Sequence, residues 1–388
     1  MNVIIRAPLL SVSGYGVHSR QIYTFLEESK RNFNIEAQSV NWGNTSWLVN
    51  PDLEDGQVGR IMRRSEPLGS VADISFQVQL PDEWDPNLAK RNIGVSAVVE
   101  TDRCNPEWVD ACNKMDAVIV PSEHARLCLE RSGDLRTKVT VIPEWFFTQI
   151  SDKNKVNTEM SNFQFDTDFN FLIVSQINGT NAFNDRKNIF FTIRWICEQF
   201  KDDPNVGIVL KTNSGRNTLI DRNVTLDLVK SLINEVRPGN FPKIHLVHGN
   251  LYPAELVDLY KNDRIKALVN LTRGEGFGLP ILEAAASNLP VIATNWSAHK
   301  EFLSIGKFID VDYNLIEIPE SKIDNRIFIK SSMWADPIEN DFKKKISKFR
   351  NKPDIPKTWS QRLGEKIRNK YSKESILGQY ETFIDEML

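Results

Sequence analysis

Short apolar runs alternate with longer helical patterns along the whole chain, and this alternation restricts the fold more than any other feature. It argues for parallel sheets with helices on both faces. In the first half the candidate strands are Val3 to Ile5, Ile35 to Val40, Ile74 to Gln77, Asn92 to Glu100, Ala117 to Val120 and Val139 to Ile142. The second half starts afresh with Phe169 to Ser175, followed by Val206 to Lys211, Lys243 to His248, Ala267 to Leu271 and Val291 to Thr294. Between the two sets, Thr148 to Asp168 is a polar run that suits a linker. With 388 residues the chain exceeds what one hydrophobic core usually supports. The expectation is an α/β protein of two doubly wound parallel-sheet domains, residues 1–150 and 165–373, facing across a cleft. Ligands bind such open sheets at the carboxyl ends of their strands.

One segment carries most of the chemistry. Arg273-Gly274-Glu275-Gly276-Phe277-Gly278-Leu279-Pro280 leads into Ile281-Leu282-Glu283-Ala284-Ala285-Ala286, a glycine-punctuated turn that opens an alanine-rich helix. Glycines let a backbone approach a ligand closely, and a helix N-terminus presents unpaired N–H groups and a partial positive charge where phosphates sit well. Pro280 suits the first turn, where its missing N–H costs nothing. Glu275 precedes the turn and Glu283 follows eight residues later, so both can face one ligand lying across the helix start. Carboxylates hold hydroxyls rather than phosphates, and a diphosphate with hydroxyl-rich groups at both ends is a nucleotide sugar. The alternative is a buried helix start with Glu275 as a capping group and Glu283 paired to a nearby lysine. A second group supports the first reading: the polar loop Gln176 to Asp185 leads to Arg186 and Lys187, and Lys211-Thr212-Asn213 ends the next apolar run. Cations at the carboxyl ends of adjacent strands can neutralise charge developing on a departing nucleoside diphosphate. A solvated basic loop is the competing meaning.

Glu275 to Glu283 with Gly-Phe-Gly-Leu-Pro between them resembles the signature of family 4 retaining glycosyltransferases (glycosyl transferases group 1), which have the GT-B fold of two Rossmann-like domains. The resemblance implies that Glu275 contacts the donor sugar, that the backbone of Gly276, Phe277, Gly278 and Leu279 contacts sugar and phosphate, and that Glu283 holds the ribose hydroxyls. It makes Arg186 and Lys187 the carriers of diphosphate neutralisation, with Lys211 a weaker candidate. It also implies that the last helix, about 374–388, crosses back onto the N-terminal domain. The activity implied is transfer of a hexose-type sugar, with retention, from a UDP-, GDP- or other nucleotide-diphosphate sugar to a hydroxyl of a glycan, a lipid-linked glycan or a small molecule. A donor phosphate oxygen would take the proton; no metal and no cofactor beyond the donor are expected.

In the N-terminal half, Ser13-Gly14-Tyr15-Gly16-Val17-His18-Ser19 follows the first strand and opens a helix. As a dinucleotide fingerprint it fails, because Ser19 replaces the third glycine. The resemblance makes Gly14 and Gly16 part of a loop opposite the donor phosphates, and leaves His18 either touching phosphate or acceptor or serving as a capping or packing group. Many members of the family carry a histidine near the end of the strand that starts here at Asn92. This chain has Glu100 and Asp102 instead. Glu100 is an acceptor-orienting or acid/base candidate and Asp102 an acceptor-side one, against a loop-stabilising role for both. Asp116 to Ser122 also looks like the family, with Ser122 capping the next helix.

Composition works by exclusion. Hydrophobic content of 41%, charged content of 26% and a net charge of -3 describe an ordinary globular protein with no reason to bind nucleic acid. The four cysteines lack CxxC spacing and scaffold density, which fits a reducing cytoplasm. No apolar stretch is long enough to span a membrane, and Met1 to Pro8 is too short for a signal peptide. Arg60-Ile61-Met62-Arg63-Arg64, with Trp42 and Trp47 upstream, is either a peripheral contact with an anionic inner membrane face or a solvated loop. Asp310-Val311-Asp312 matches a metal-nucleotide DxD, and His245 with His248 a ligand pair, but the first pattern is too short to be specific and the second places its members on opposite faces of a strand. Three competing functions remain: a sugar-nucleotide 2-epimerase of the same fold, a nicotinamide oxidoreductase, which would want the fingerprint intact, and a non-catalytic sugar-binding subunit.

Overall fold

The computed structural model describes residues 1–152, 158–177, 181–212 and 218–388. Three sequence features extend past these limits: residues 153–157 of the linker, residues 178–180 of the loop after Ser175, and Asn213 lie outside the described residues. The chain divides into two compact units, residues 1–145 with 324–329 and 373–388, and residues 146–323 with 330–372.

The first unit runs β1 (Asn2–Ala7), α1 (Gly14–Glu28), β2 (Asn34–Ser39), α2 (Gln57–Arg63), β3 (Ala72–Val78), β4 (Ala89–Val95), α3 (Pro106–Cys112), β5 (Ala117–Val120), α4 (Glu123–Glu130) and β6 (Val139–Val141). The strands form one parallel sheet in the order β2-β1-β3-β4-β5-β6. Helices α1, α3 and α4 each start where a short polar side chain takes an orphan amide. Ser13 Oγ accepts from Gly16 N at 3.0 Å to start α1, and Ser122 Oγ accepts from Ala125 N at 3.1 Å to start α4. Gly16 is required where it stands: a Cβ there would lie 2.0 Å from the Ser11 carbonyl oxygen.

The strand expected from Asn92 to Glu100 is displaced. It begins at Ala89 and ends at Val95, although Val98 and Val99 are buried. Val98 has φ +58°, incompatible with a strand, and Ala97 N–H donates to the Tyr15 hydroxyl at 3.1 Å instead of to a ladder partner. Apolar residues that follow a strand without belonging to it are invisible to a reading of hydrophobic runs.

The second unit runs β7 (Phe169–Val174), α5 (Ile189–Gln199), β8 (Val206–Thr212), α6 (Leu219–Val236), β9 (Lys243–His248), α7 (Pro253–Lys261), β10 (Ile265–Asn270), α8 (Leu279–Ala286), β11 (Val291–Thr294), α9 (His299–Leu303), β12 (Ile309–Val311), β13 (Tyr313–Glu317), β14 (Met333–Pro337), α10 (Glu339–Asn351) and α11 (Asp354–Lys370). Its parallel sheet has the order β12-β11-β10-β7-β8-β9. Strands buried on both faces explain the unbroken apolar runs: Phe171, Ile208, Leu210, Ala267, Val269 and Ile292 share a core with Ile193, Ile196 and Phe342. The antiparallel pair β13–β14 escaped the sequence reading, because its strands are separated by 15 residues and β13 leaves Leu315 and Ile316 exposed. Asp310 lies on β12, within 3.7 Å of Lys345.

The final helix, α12 (Lys373–Met387), belongs to the first unit. Ile376, Tyr380, Phe383 and Ile384 enter its core beside Ile22, Phe25 and Leu26 of α1, and the rings of Phe25 and Tyr380 stack at 5.1 Å.

Candidate functional site

In the second sheet the strand order reverses between β7 and β10: β8 and β9 lie to one side, β11 and β12 to the other. The loops leaving the carboxyl ends of two such strands diverge to opposite faces and open a ligand crevice between them. The loop after β7 carries Arg186 and Lys187, and the loop after β10 carries Arg273 to Gly278. The backbone joins the loops directly, since Arg273 N–H donates to the Arg186 carbonyl at 2.8 Å and Arg186 Nη1 donates to the Gly274 carbonyl at 2.6 Å. Two segments 88 residues apart in sequence are thereby one structure.

Glu275 is the centre of the cluster. Its carboxylate accepts from Lys187 Nζ at 2.7 and 2.9 Å and lies 3.5 Å from Arg186 Nη1. Only 6% of the residue is exposed, so it would ordinarily resist ionisation. Burial does push its pKa up, but the charges of Lys187 and Arg186 together with the Lys187 hydrogen bond outweigh burial and bring it to about 2. Two cations and one carboxylate leave this cluster with a formal charge of +1, suited to a phosphate-bearing ligand. Glu275 is held from behind: its N–H donates to Ser297 Oγ at 2.9 Å, and that oxygen is 3.4 Å from His299 Nδ1. His299 Nε2 donates to the Thr294 carbonyl at 2.7 Å, which leaves Nδ1 to accept from the Ser297 hydroxyl. Burial lowers the His299 pKa and keeps the ring neutral.

Gly278 caps α8 with φ +102° and ψ +51°, a conformation that glycine adopts without penalty. Its carbonyl accepts from Ile281 and Leu282, and Pro280 at the second helical position has no N–H to place. The amides of Phe277, Gly278 and Leu279 remain, and among the described residues none of them donates to a protein acceptor. These amides and the two cations supply what an anion needs. The Phe277 ring faces inward against Phe302 at 5.5 Å, so the backbone, not the side chain, is what this residue can offer a ligand.

Glu283 lies in the first turns of α8, 3% exposed, accepting from the Tyr260 hydroxyl at 3.0 Å. Burial pushes its pKa up to about 8, the Tyr260 hydrogen bond offsetting only part of the effect. The two carboxylates of the motif are therefore in opposite states at neutral pH, Glu275 ionised and Glu283 protonated. Lys211 stands near the end of β8, opposite Val174 in the neighbouring strand, and burial brings its pKa down to about 8. Among the described residues no carboxylate pairs with it. Arg273, Tyr260, Ser297 and His299 were missed from the sequence. Arg273 is buried over the Trp334 ring and pairs with Asp336, which fixes the loop beneath Glu275. Tyr260 had no sequence signal, since a tyrosine on an amphipathic helix reads as core.

The first-unit candidates differ in their surroundings. Gly14 is exposed, and a Cβ there would meet nothing within 4 Å. His18 is turned inward with 2% exposure, 3.3 Å from the Tyr380 hydroxyl, and burial lowers its pKa to about 4. Glu100 and Asp102 lie half-buried on the loop beyond β4 rather than at a strand end, with Asp102 3.5 Å from Arg103. The basic run at 60–64 is largely engaged: Arg60 and Arg64 both pair with Glu27 at 3.0 Å and Ile61 is buried. Among the described residues no three His, Cys, Asp or Glu side chains gather as a metal-holding group, and no helix is long and apolar enough to cross a membrane.

A family model described as "Glycosyl transferases group 1" matches residues 228–316, a span that includes Glu275, Gly278 and Glu283. No curated protein matches the sequence. Among solved structures, the Anabaena HepE protein in complex with UDP and glucose superposes with a TM-score of 0.63 at 10% identity, covering 100% of both chains. Sucrose-phosphate synthase from Thermosynechococcus elongatus has a TM-score of 0.60 at 12% identity, covering 100% of this chain and 98% of that one. The pneumococcal O-GlcNAc transferase GtfA, crystallised with UDP and GlcNAc, has a TM-score of 0.52 at 14% identity over 81% of this chain, which spans only 56% of that protein. The chain thus has the GT-B fold of two Rossmann-like domains, and its second domain matches glycosyl transferases group 1 across the motif that surrounds Glu275.

Proposed function

We propose that this chain is a retaining glycosyltransferase that moves a hexose-type sugar from a nucleotide-diphosphate sugar to an acceptor hydroxyl. The observation that carries the reading is the joining of Arg186, Lys187 and Glu275 into one cluster at the β7–β10 reversal, beside the amides that open α8. The diphosphate docks on those amides and on the two cations, and the ribose hydroxyls donate to Glu283. As phosphate oxygens take over Lys187 and Arg186, the Glu275 carboxylate turns to hydroxyls of the donor sugar.

The acceptor hydroxyl attacks the anomeric carbon on the face from which the diphosphate leaves. A C–O bond to the acceptor forms as the C–O bond to phosphate breaks, and the acceptor's proton passes to a donor phosphate oxygen. Arg186 and Lys187 stabilise the charge on the leaving group, so the step is written with side-chain cations in place of a metal. Glu100 and Asp102 are the acceptor-side carboxylates of this reading. Four free, buried thiols favour a reducing compartment, and we place the reaction in the cytoplasm.

The test is a thermal-shift panel of UDP-, GDP-, ADP- and dTDP-sugars, followed by transfer assays with the donor so identified. Glu283→Ala should weaken nucleotide binding, and Glu275→Ala should impair transfer more than it impairs binding of the bare nucleotide. An assay without acceptor should yield no epimerised nucleotide sugar. If no nucleotide sugar raises the melting temperature, or if both variants turn over like the parent, the site assignment is wrong.

A further inference from the structure

The segment after β2, residues 40–50, is longer than a simple connection requires and is locked in place. Val12 N–H donates to the Ser46 carbonyl at 2.9 Å and Leu48 N–H to the Leu10 carbonyl at 2.7 Å, so residues 46–48 lie along residues 10–12. Thr45 Oγ1 donates to the Trp42 carbonyl at 2.9 Å, and Ser11 Oγ bonds both Thr45 Oγ1 at 2.7 Å and Ser13 Oγ at 3.0 Å. This frame presses the Trp42 ring onto Tyr15, with centroids 4.1 Å apart and planes 25° apart. Tyr15 is fixed in turn at its hydroxyl, which takes the Ala97 N–H at 3.1 Å and bonds Ser96 Oγ at 3.0 Å.

Both rings remain partly exposed, at the carboxyl end of β1 and beside the exposed Gly14. An indole and a phenol held in a stack by seven polar contacts are more elaborate than a packing role needs. Tyr15 packs in part against the first unit's core, and neither ring is fully buried. Their neighbours are polar: the hydroxyls of Ser11, Ser13 and Thr45, and the carboxylates of Glu100 and Glu144, close enough to Tyr15 to reinforce what burial does to its hydroxyl, raising its pKa. A rigid aromatic face beside a frame of hydroxyls matches a pyranose, whose C–H face is apolar and whose edge carries hydroxyl groups. An anionic lipid surface would instead be repelled by the half-buried Glu100.

We propose that Tyr15 and Trp42 form a stacking platform for a pyranose ring of the acceptor, which makes the acceptor a saccharide. The inference rests on the transferase reading and specifies the substrate class that reading left open. Because the frame is already formed, binding costs little ordering of the loop.

The experiment is saturation-transfer difference NMR on the full chain with the methyl α- and β-pyranosides of glucose, galactose, mannose and N-acetylglucosamine, with UDP binding followed by thermal shift on the same samples. At least one pyranoside should receive saturation, strongest on its ring C–H protons. Trp42→Ala should weaken that binding about tenfold, the equivalent of losing one aromatic contact, and Trp42→Phe should restore part of it. UDP should raise the melting temperature of both variants by the same increment as in the parent. Absence of saturation from all the pyranosides, or binding undiminished in Trp42→Ala, overturns the platform. If UDP still binds, the transferase reading survives that failure; if UDP does not bind either, both fall together.

Discussion

At the scale of single residues, the two motif carboxylates show how environment divides identical side chains. Glu275 is ionised because Lys187 lies 2.7 Å away, and Glu283 keeps its proton because its surroundings are apolar and its partner, Tyr260, is neutral. Replacing Lys187 with Met leaves a buried carboxylate with Arg186 at 3.5 Å as its remaining ion-pair partner among the described residues and should cost about 3–5 kcal/mol in urea denaturation. Adding Glu275→Gln should recover most of that loss; a double variant no more stable than Lys187→Met alone would place the cost elsewhere. For Glu283 the sign runs the other way. A carboxyl raised from 4.5 to about 8 on folding contributes stability that is complete below pH 4.5 and is lost as pH climbs towards 8. Glu283→Gln should therefore raise the melting temperature relative to the parent above pH 8, with the difference vanishing towards pH 4.5. If ribose hydroxyls donate to the ionised form, nucleotide binding near pH 7 should release a proton, visible in calorimetry as an enthalpy that depends on the buffer.

At the scale of elements, the site depends on how α8 begins. Gly278 has to hold φ +102° while its neighbours pack close: a Cβ there would lie 3.2 Å from His299 Cβ and 3.7 Å from Glu275 Cγ. Gly278→Ala should destabilise the second domain by about 1–2 kcal/mol. It should weaken donor binding further, because this turn carries the amides proposed to meet the phosphates. Chemical denaturation and nucleotide titration separate the two effects. At the start of α1 a residue of the same type serves a different end, since Gly16 is demanded by the Ser11 carbonyl, while Gly14 meets nothing. The spacing of glycines alone does not tell a packing constraint from an open approach.

At the scale of the whole molecule, the last helix completes a domain begun some 370 residues earlier in the chain. Deleting residues 373–388 removes Ile376, Tyr380, Phe383 and Ile384 from the first unit's core, each worth roughly 1.5–3 kcal/mol of burial. The sum rivals the entire stability of a domain, so the truncated chain should lose the first unit's transition in scanning calorimetry while the second unit's persists; two intact transitions would contradict this role of α12. The alternation of apolar runs and helical patterns already specified two doubly wound sheets, because strands covered on both faces must be apolar throughout. The motif from Glu275 to Glu283 was equally legible, because a turn that needs glycine at a fixed offset from two carboxylates is a local arrangement. Other features needed the folded chain. Whether Lys187 or Arg186 holds Glu275 depends on two loops that meet across a strand reversal. The burial of His18 depends on a helix 362 residues away. The early end of β4 depends on Tyr15 capturing the Ala97 amide. Sequence patterning encodes which face of an element is apolar; partners distant in the chain, and the charge states they impose, arise only when tertiary contacts bring those faces together.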